Sequence, residues 1–563
     1  MTSRREPLQI RPTFILGASS FREMSLNLRR RLSLFALLCL AAGACSSRVS
    51  PETAQNLPDS LTVFRFRISG DPPSLDPIHS VDLVSQTVVN NIFEPLLRLD
   101  PLTGRPAGAL ADSWEIAQDG LVFRFFLRRE ARFHNGRLIT SSDVRYSFER
   151  LLAPGLAGER PWILMPLAGA RAFRAGQAEH VAGIETPSDS VVVLRLERPF
   201  APFLVQLSMA GASICPREEI EKAGEAEFGQ HPVGSGPFRF LRWQHDNRIV
   251  LERAPGCPGP GPGAVGRVEF LVVPNISVAL EKYRAGELDL LDQLPPGQVA
   301  LARKRMAGEL HIWPGLSVRY LGFNLTRPPF QGNRGLRQAF NYAVNKEAIT
   351  EVLGEGVDVV SRGAVPPGLP GCNPGLAGYP YDPEAARRRL DEAGYPEGRG
   401  LPEITLLYNN DAADRRVCEF VQACLAEIGV RVRLKSLEWA AFLAAVRAGE
   451  AELFRGSWVG DYPDAHNFLY TLFHSSNWGD AGNYTRFADP AVDSLLDRAA
   501  GLVDEVERER IYQQVEVTVS REAPWIFLFH PGQVALLKER WRGAVFPAEG
   551  IWAFPLSLVY AGN

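Results

Sequence analysis

The sequence predicts a mixed α/β protein built in more than one lobe, and three observations carry that prediction. Apolar residues recur at two periods along the chain, every second residue in some stretches and every third or fourth in others, which is the pattern of strands interspersed with helices. Hydrophobic residues make up 45% of the chain and charged residues 22%, ordinary values for a folded globular protein. A short apolar segment near the start reads as an export signal, and setting aside residues 1–44 of the 563 still leaves far more chain than one hydrophobic core serves.

The export signal comes first in chain order. Leu32 to Ala44 follows Arg29-Arg30-Arg31 and ends in Ala42-Gly43-Ala44 ahead of Cys45. The apolar run is shorter than the roughly 20 residues a spanning helix needs, and its basic flank and small-residue exit fit signal-peptide processing. The positions before Cys45 resemble the lipobox of bacterial lipoproteins, with Ala42 where that pattern usually has Leu. The resemblance implies that Cys45 is acylated and becomes the mature N-terminus, with residues 45–60, including Ser50 to Pro58, as a polar tether. Met24 begins a complete signal of its own and is the expected translation start.

Further along, Leu121, Phe123, Phe125 and Leu127 share one face at period two and predict a strand. Thr140-Ser141-Ser142-Asp143 has capping-box spacing ahead of Val144, Phe148, Leu151 and Leu152, a helix ended near Pro154-Gly155. Pro255 to Gly266, rich in proline and glycine, is read as an exposed loop. Leu336, Ala339, Phe340, Ala343 and Val344 mark a second helix with Asn333 at its entrance. Val417, Val421, Cys424 and Leu425 mark a third, stopped at Gly429 and followed by a strand over Val430 to Leu434.

Several polar groups read as structural. Asp71 to Pro77 is a turn, and Phe133-His134-Asn135-Gly136 another, with Gly136 supplying positive φ and His134 in a structural role. Gly234-Ser235-Gly236-Pro237 lacks the lysine of a phosphate-binding loop. Trp114 and Tyr342 are expected in the core. Asp289, Asp292, Asp489, Asp493 and Asp497 are expected on surface helices without a calcium cage. Of the seven cysteines, Cys39 is in the signal, and five remain for the fold: Cys215, Cys257, Cys372, Cys418 and Cys424. None forms a CxxC pair or a metal-spaced cluster, so no metal or cofactor is expected. A net charge of −3 points to neither nucleic acid nor an anionic surface. The absence of G-x-S-x-G and H-E-x-x-H, with nine scattered histidines, leaves a secreted hydrolase as a remote alternative with no catalytic residue to name.

A longer series of motifs resembles one family in order and spacing. Asp71-Pro72-Pro73-Ser74-Leu75-Asp76-Pro77, Asn91-Ile92-Phe93-Glu94-Pro95-Leu96-Leu97, Leu110-Ala111-Asp112-Ser113-Trp114, Phe133-His134-Asn135-Gly136, His231 to Phe238, Tyr320-Leu321-Gly322-Phe323-Asn324 and Asp461-Tyr462-Pro463-Asp464 are similar to the family 5 extracellular solute-binding proteins, the peptide- and nickel-type receptors of ABC importers. The resemblance implies a two-lobed periplasmic-binding-protein-like (type II) α/β fold with an inserted subdomain. On that mapping lobe I takes residues 60–100, 230–318 and 525–563, the insertion 101–229, and lobe II 319–524.

It also implies a site. Asp461 resembles the family aspartate that meets a peptide ammonium, and Arg455 an arginine that can meet a ligand carboxylate. Trp458 and Tyr462 supply aromatic faces, and Tyr320 and Asn324 complete the expected ligand-binding set. Read from the residues alone, Asp461 could equally cap a helix and Trp458 fill core. Where many members have Asn-x-x-Tyr-Trp this chain has Ala254 to Pro260, a departure on one side of the cleft. The implied protein is a monomeric, lipid-anchored receptor on the periplasmic or cell-surface side of a bacterial membrane, delivering short peptides to a permease. A nickel chelate, opine or sugar is the alternative ligand.

Overall fold

Two mixed sheets and one smaller antiparallel sheet carry the fold in the computed structural model, which describes residues 62–563 apart from Ala157, Pro258 and Asn563. The signal, Cys45 and the tether lie outside the described residues. The first sheet has seven strands in the order Leu310–Pro314, Gly532–Leu537, Leu290–Leu291, Val63–Ile68, Arg267–Val272, Arg248–Arg253 and Phe238–Gln244. The second has six: Val359–Val360, Trp525–His530, Ser317–Phe323, Leu453–Val459, Ile404–Asn409 and Val432–Leu437. The third, within the expected insertion, pairs Ala111–Ile116, Val122–Leu127, Val191–Arg195 and Ile184–Ser188.

Local sequence explains these elements. In Val122–Leu127 the residues Phe123, Phe125 and Leu127 are buried while Arg124 is exposed, the alternation of a sheet with one wet face. The helix Ser141–Leu152 opens on Thr140, whose N–H and hydroxyl both donate to Asp143 Oδ2, at 2.8 and 3.1 Å. The helix Arg334–Ala343 is capped by Asn333, which accepts from Leu336 N at 3.0 Å. Ala412–Ala426 is capped by Asp411, and the strand after it runs Val432–Leu437, two residues later than the apolar run begins. Pro255 to Gly266 holds no helix or regular strand among its described residues, only an isolated bridge from Ala264 to Tyr560.

One expectation needs correcting. Residues 525–563 do not stay with the first sheet: Trp525–His530 is an interior strand of the six-stranded sheet, and only Gly532–Leu537 returns to the seven-stranded one. The reason is the unbroken apolar run Trp525-Ile526-Phe527-Leu528-Phe529, which suits a strand buried on both faces: Trp525 and Phe527 enter one apolar cluster and Ile526, Leu528 and Phe529 another, while Ser317–Phe323 and Val359–Val360 pair with its two edges. The chain therefore crosses between the sheets at Gly315 and again at Pro531, and the crossings touch: Gly315 N donates to Pro531 O at 3.0 Å. A Cβ on Gly315 would sit 2.8 Å from that carbonyl, so glycine is required for the contact.

Other polar residues fall into place around these sheets. His134 accepts from Gly234 N through Nδ1 at 3.3 Å and bonds Gly236 O through Nε2 at 3.0 Å, holding the glycine loop against Ile92; burial depresses its pKa. Asp289 is not on a surface helix. It is fully buried, accepting from Arg65 N at 2.8 Å and Trp541 Nε1 at 2.9 Å, because it precedes Leu290–Leu291 beside the central strand. Asp292 likewise accepts from Nη1 of buried Arg67 through both carboxylate oxygens, each at 2.9 Å. Trp114 and Tyr342 are partly buried against apolar clusters, as expected of core-facing aromatics. All five described cysteines are free.

Candidate ligand-binding crevice

In the six-stranded sheet Leu453–Val459 and Ile404–Asn409 run parallel, so their carboxyl ends lie together with the start of Ser317–Phe323 and the end of Trp525–His530. That is the end at which both crossings leave for the other sheet. Ligands of open α/β sheets bind outside the carboxyl ends of parallel strands, and the chain that follows Val459 is the turn carrying Asp461.

The turn is built so that Asp461 is left over. Asp464, not Asp461, caps the helix Ala465–Phe473, accepting from His466 N at 2.8 Å, and its other oxygen takes buried Arg508 at 2.9 Å. Asn467 then reaches back from the helix and accepts from both Asp461 N at 3.1 Å and Trp458 Nε1 at 2.9 Å. These contacts fix the backbone of the turn and leave the Asp461 residue exposed. Enclosure by nearby protein raises its carboxyl pKa, with Asn467 and Arg160 pulling the other way. Val459 beside it is 64% exposed, an apolar surface open next to a charge.

The opposite wall comes from the inserted segment. Arg160 is held by a hydrogen bond from Nη2 to Val81 O at 2.9 Å, and its charge acts on Asp461. Trp162 lies 6.1 Å from Tyr462, ring to ring, and Phe200 meets His466 edge-on at 5.2 Å. Tyr462 and His466 are buried and hydrogen-bonded at 2.9 Å between hydroxyl and Nδ1. Burial pushes the His466 imidazole down to about 4, so it is neutral at pH 7. The arrangement offers one exposed carboxylate, free of any capping role, near aromatic side chains, suited to a cationic group on a partly apolar ligand.

The expected site residues divide three ways. Asp461, Trp458 and Tyr462 come together around the turn, although Tyr462 is mostly buried beneath it. Arg455 sits on the same strand but on the other face of the sheet, buried, its Nη2 3.2 Å from Asp414 Oδ1. Tyr320 and Asn324 are not at the crevice. Tyr320 is 1% exposed and stacks on Trp525 at 3.5 Å and 7°, and a Cβ on Gly456 would lie 2.3 Å from its ring. Asn324 is buried, donating to Gly449 O at 2.9 Å and accepting from Thr326 N at 3.0 Å, and so folds the loop after the strand.

Arg160, Trp162 and Asn467 lie outside the motifs, and Asp464 belongs to one of them but serves as a cap. Asp464-Ala465-His466 carries a capping signal that sequence could have shown, whereas nothing local marks Arg160 and Trp162, which reach Asp461 only through tertiary structure. Among the described residues there is no cluster that could hold a metal ion and no helix long and apolar enough to cross a membrane.

Known proteins resemble this chain along most of its length. It is 32% identical over 548 residues to the heme-binding protein A of Haemophilus influenzae, covering 94% of this chain and 98% of that one. It is 30% identical over 456 residues to the dipeptide-binding protein of Escherichia coli, covering 78% and 84%. Its fold matches HbpA2 from Haemophilus parasuis with a TM-score of 0.78 at 27% identity, over 89% of this chain and 100% of that one. It also matches the unliganded open form of the murein tripeptide-binding protein MppA, at 0.79 and 22% identity over 89% and 98%. The model of the bacterial extracellular solute-binding proteins, family 5, covers residues 105–480, and with these relatives it shows that the chain belongs to that family.

Proposed function

We propose that this protein is the receptor of an ABC importer, capturing short peptides in the crevice and handing them to a membrane permease, and that it acts by binding rather than catalysis. The observation that carries the reading is the exposed carboxylate of Asp461, which caps no helix, on a turn whose backbone is fixed by Asp464 and Asn467. A peptide ammonium enclosed there gains a charge partner, and an enclosed ammonium without one costs several kcal/mol. The family relationship and the dipeptide-binding relative support the same reading.

Titration calorimetry with trialanine and N-acetyl-trialanine tests it. The free amine is expected to bind at least about a hundred-fold more tightly, and equal affinity for the two removes the ammonium from the reading. The Haemophilus influenzae relative's name raises a porphyrin as the other ligand. Native mass spectrometry of the purified soluble domain separates the two, since a co-purifying ligand reports its mass directly.

We further propose that the receptor works as a monomer tethered through acylated Cys45, outside the cytoplasmic membrane. Cys45→Ser should release it from membranes or leave the signal uncleaved. Normal processing with unchanged membrane retention in that variant would remove the anchor.

A further inference from the structure

The two larger sheets are joined by more than their two covalent crossings. The loop after the π-helical turn Ile349–Leu353, just ahead of the edge strand Val359–Val360 of the six-stranded sheet, reaches the helix Val299–Arg305. That helix leads into Leu310–Pro314 of the seven-stranded sheet. Glu355 accepts from Gly297 N at 2.6 Å and from Val299 N at 3.2 Å, one through each carboxylate oxygen. The contact is returned by Arg303, whose Nη2 donates to Gly356 O at 2.7 Å. All three bonds are charge-assisted.

The backbone is bent to make this contact. Glu355 has φ of +51°, a left-handed conformation that is costly for a residue with a Cβ, directly ahead of Gly356 at +65°. The loop is tied to its own turn, with Gly356 N donating to Thr350 O at 3.0 Å and Val357 N to Gly354 O at 2.9 Å. It also rests on the second crossing: Gly532 N donates to Asp358 Oδ1 at 3.1 Å, and a Cβ on Gly532 would lie 2.1 Å from Val357 O. A π-turn and a strained residue thus hold one carboxylate against the other sheet.

Its place beside the crossings gives the contact leverage. The crossings start Ser317–Phe323 and end Trp525–His530, and in sheet order these strands stand between Val359–Val360 and Leu453–Val459. Glu355 is therefore on one side of the pivot and the Asp461 turn on the other. A rotation about the crossings that brings the seven-stranded sheet down on the Asp461 turn lifts it away from Glu355. Strands lie about 4.8 Å apart, so a contact one or two strands from the axis moves by about 2–3 Å on a rotation of ~20°, enough to break a hydrogen bond.

We propose that Glu355, together with Arg303, is a clasp that holds the crevice open and that closure over a ligand has to release. The clasp touches no ligand. It lowers affinity by favouring the arrangement that binds less well, and the strain at Glu355 limits its strength, because release also lets the backbone relax.

Small-angle scattering of the purified protein and calorimetry with trialanine, on wild type, Glu355→Ala and Arg303→Ala, test the clasp. Glu355→Ala should make the protein more compact before peptide is added and should tighten trialanine by about three- to thirty-fold. Arg303→Ala, which cuts one bond of the three, should move both readouts the same way by less. A purely structural contact predicts a lower melting temperature with radius of gyration and affinity unchanged, and that result overturns the proposal. An expanded protein or weaker binding in Glu355→Ala overturns it as well. Scattering needs no peptide, so a wild type that fails to bind trialanine counts against the peptide reading while the radius of gyration still decides the clasp. If Glu355→Ala does not fold, an unchanged radius of gyration in Arg303→Ala overturns the proposal.

Discussion

The turn Gly460 to Asp464 and the strand Ser317–Phe323 with its following Asn324 carry motifs of equal apparent weight, and the fold uses them in opposite ways. One is a strand of the six-stranded sheet and the other the turn that follows its neighbour Leu453–Val459, and each has a tyrosine two residues from a glycine. In the turn, a capping aspartate and a bridging asparagine hold the backbone and leave Asp461 exposed with no cap to make. In the strand, Tyr320 lies flat on Trp525 above Gly456, and Asn324 has both ends of its amide engaged. A motif in a sequence therefore marks that a residue type is needed, while the partners decide whether the need is packing or binding.

Single substitutions should split these two roles. Tyr320→Ala removes a buried ring between Trp525 and Phe454, and about 3–5 kcal/mol of stability is expected to go with it. Whatever folded fraction remains should bind trialanine nearly normally. Asp461→Ala should do the reverse: an affinity loss of about two orders of magnitude or more, with stability changed by less than about 1 kcal/mol. Urea melts and calorimetry on both variants supply the comparison. If Tyr320→Ala weakens binding as much as Asp461→Ala at equal folded fraction, the distinction drawn here between core and crevice fails.

How far sequence could draw that distinction varied with the range of the interactions. Helices such as Arg334–Ala343 and Ala412–Ala426 were legible because cap and apolar stripe lie within one short window. The placement of Trp525–His530 was not, since a continuous apolar run suits an interior strand of either sheet and only its neighbours decide. Asp289 shows the same limit for polar groups: its sequence context looks exposed, but Arg65 N and Trp541 reach it from distant parts of the chain. At the crevice, Asp461 could be found from its motif, whereas Arg160 and Trp162 could not, because their relation to it exists only after folding.

The smallest expected effect concerns the strand beside Tyr320 and sharpens the comparison through pH. His530 ends Trp525–His530 at the crossing and is buried, with Nδ1 3.0 Å from Ser317 O. Burial holds its imidazole down to about 4, against about 6.5 in an unfolded chain. Between those values the unfolded chain binds a proton that the folded one does not, so stability falls as pH is lowered through this window. The loss attributable to His530 is about 2 kcal/mol between pH 7 and pH 5. His530→Gln keeps a donor for Ser317 O but cannot titrate, so its stability should decline less over the same range. The gap between wild type and variant, read from urea melts at pH 7 and pH 5, should therefore move by about 2 kcal/mol in the variant's favour on acidification. His466 and the carboxyls of Glu516 and Asp358 titrate in both proteins and cancel in the difference. Parallel stability curves would mean that the crossing opens enough to hydrate His530, and the end of this strand would then belong with the accessible crevice rather than with the core that holds Tyr320.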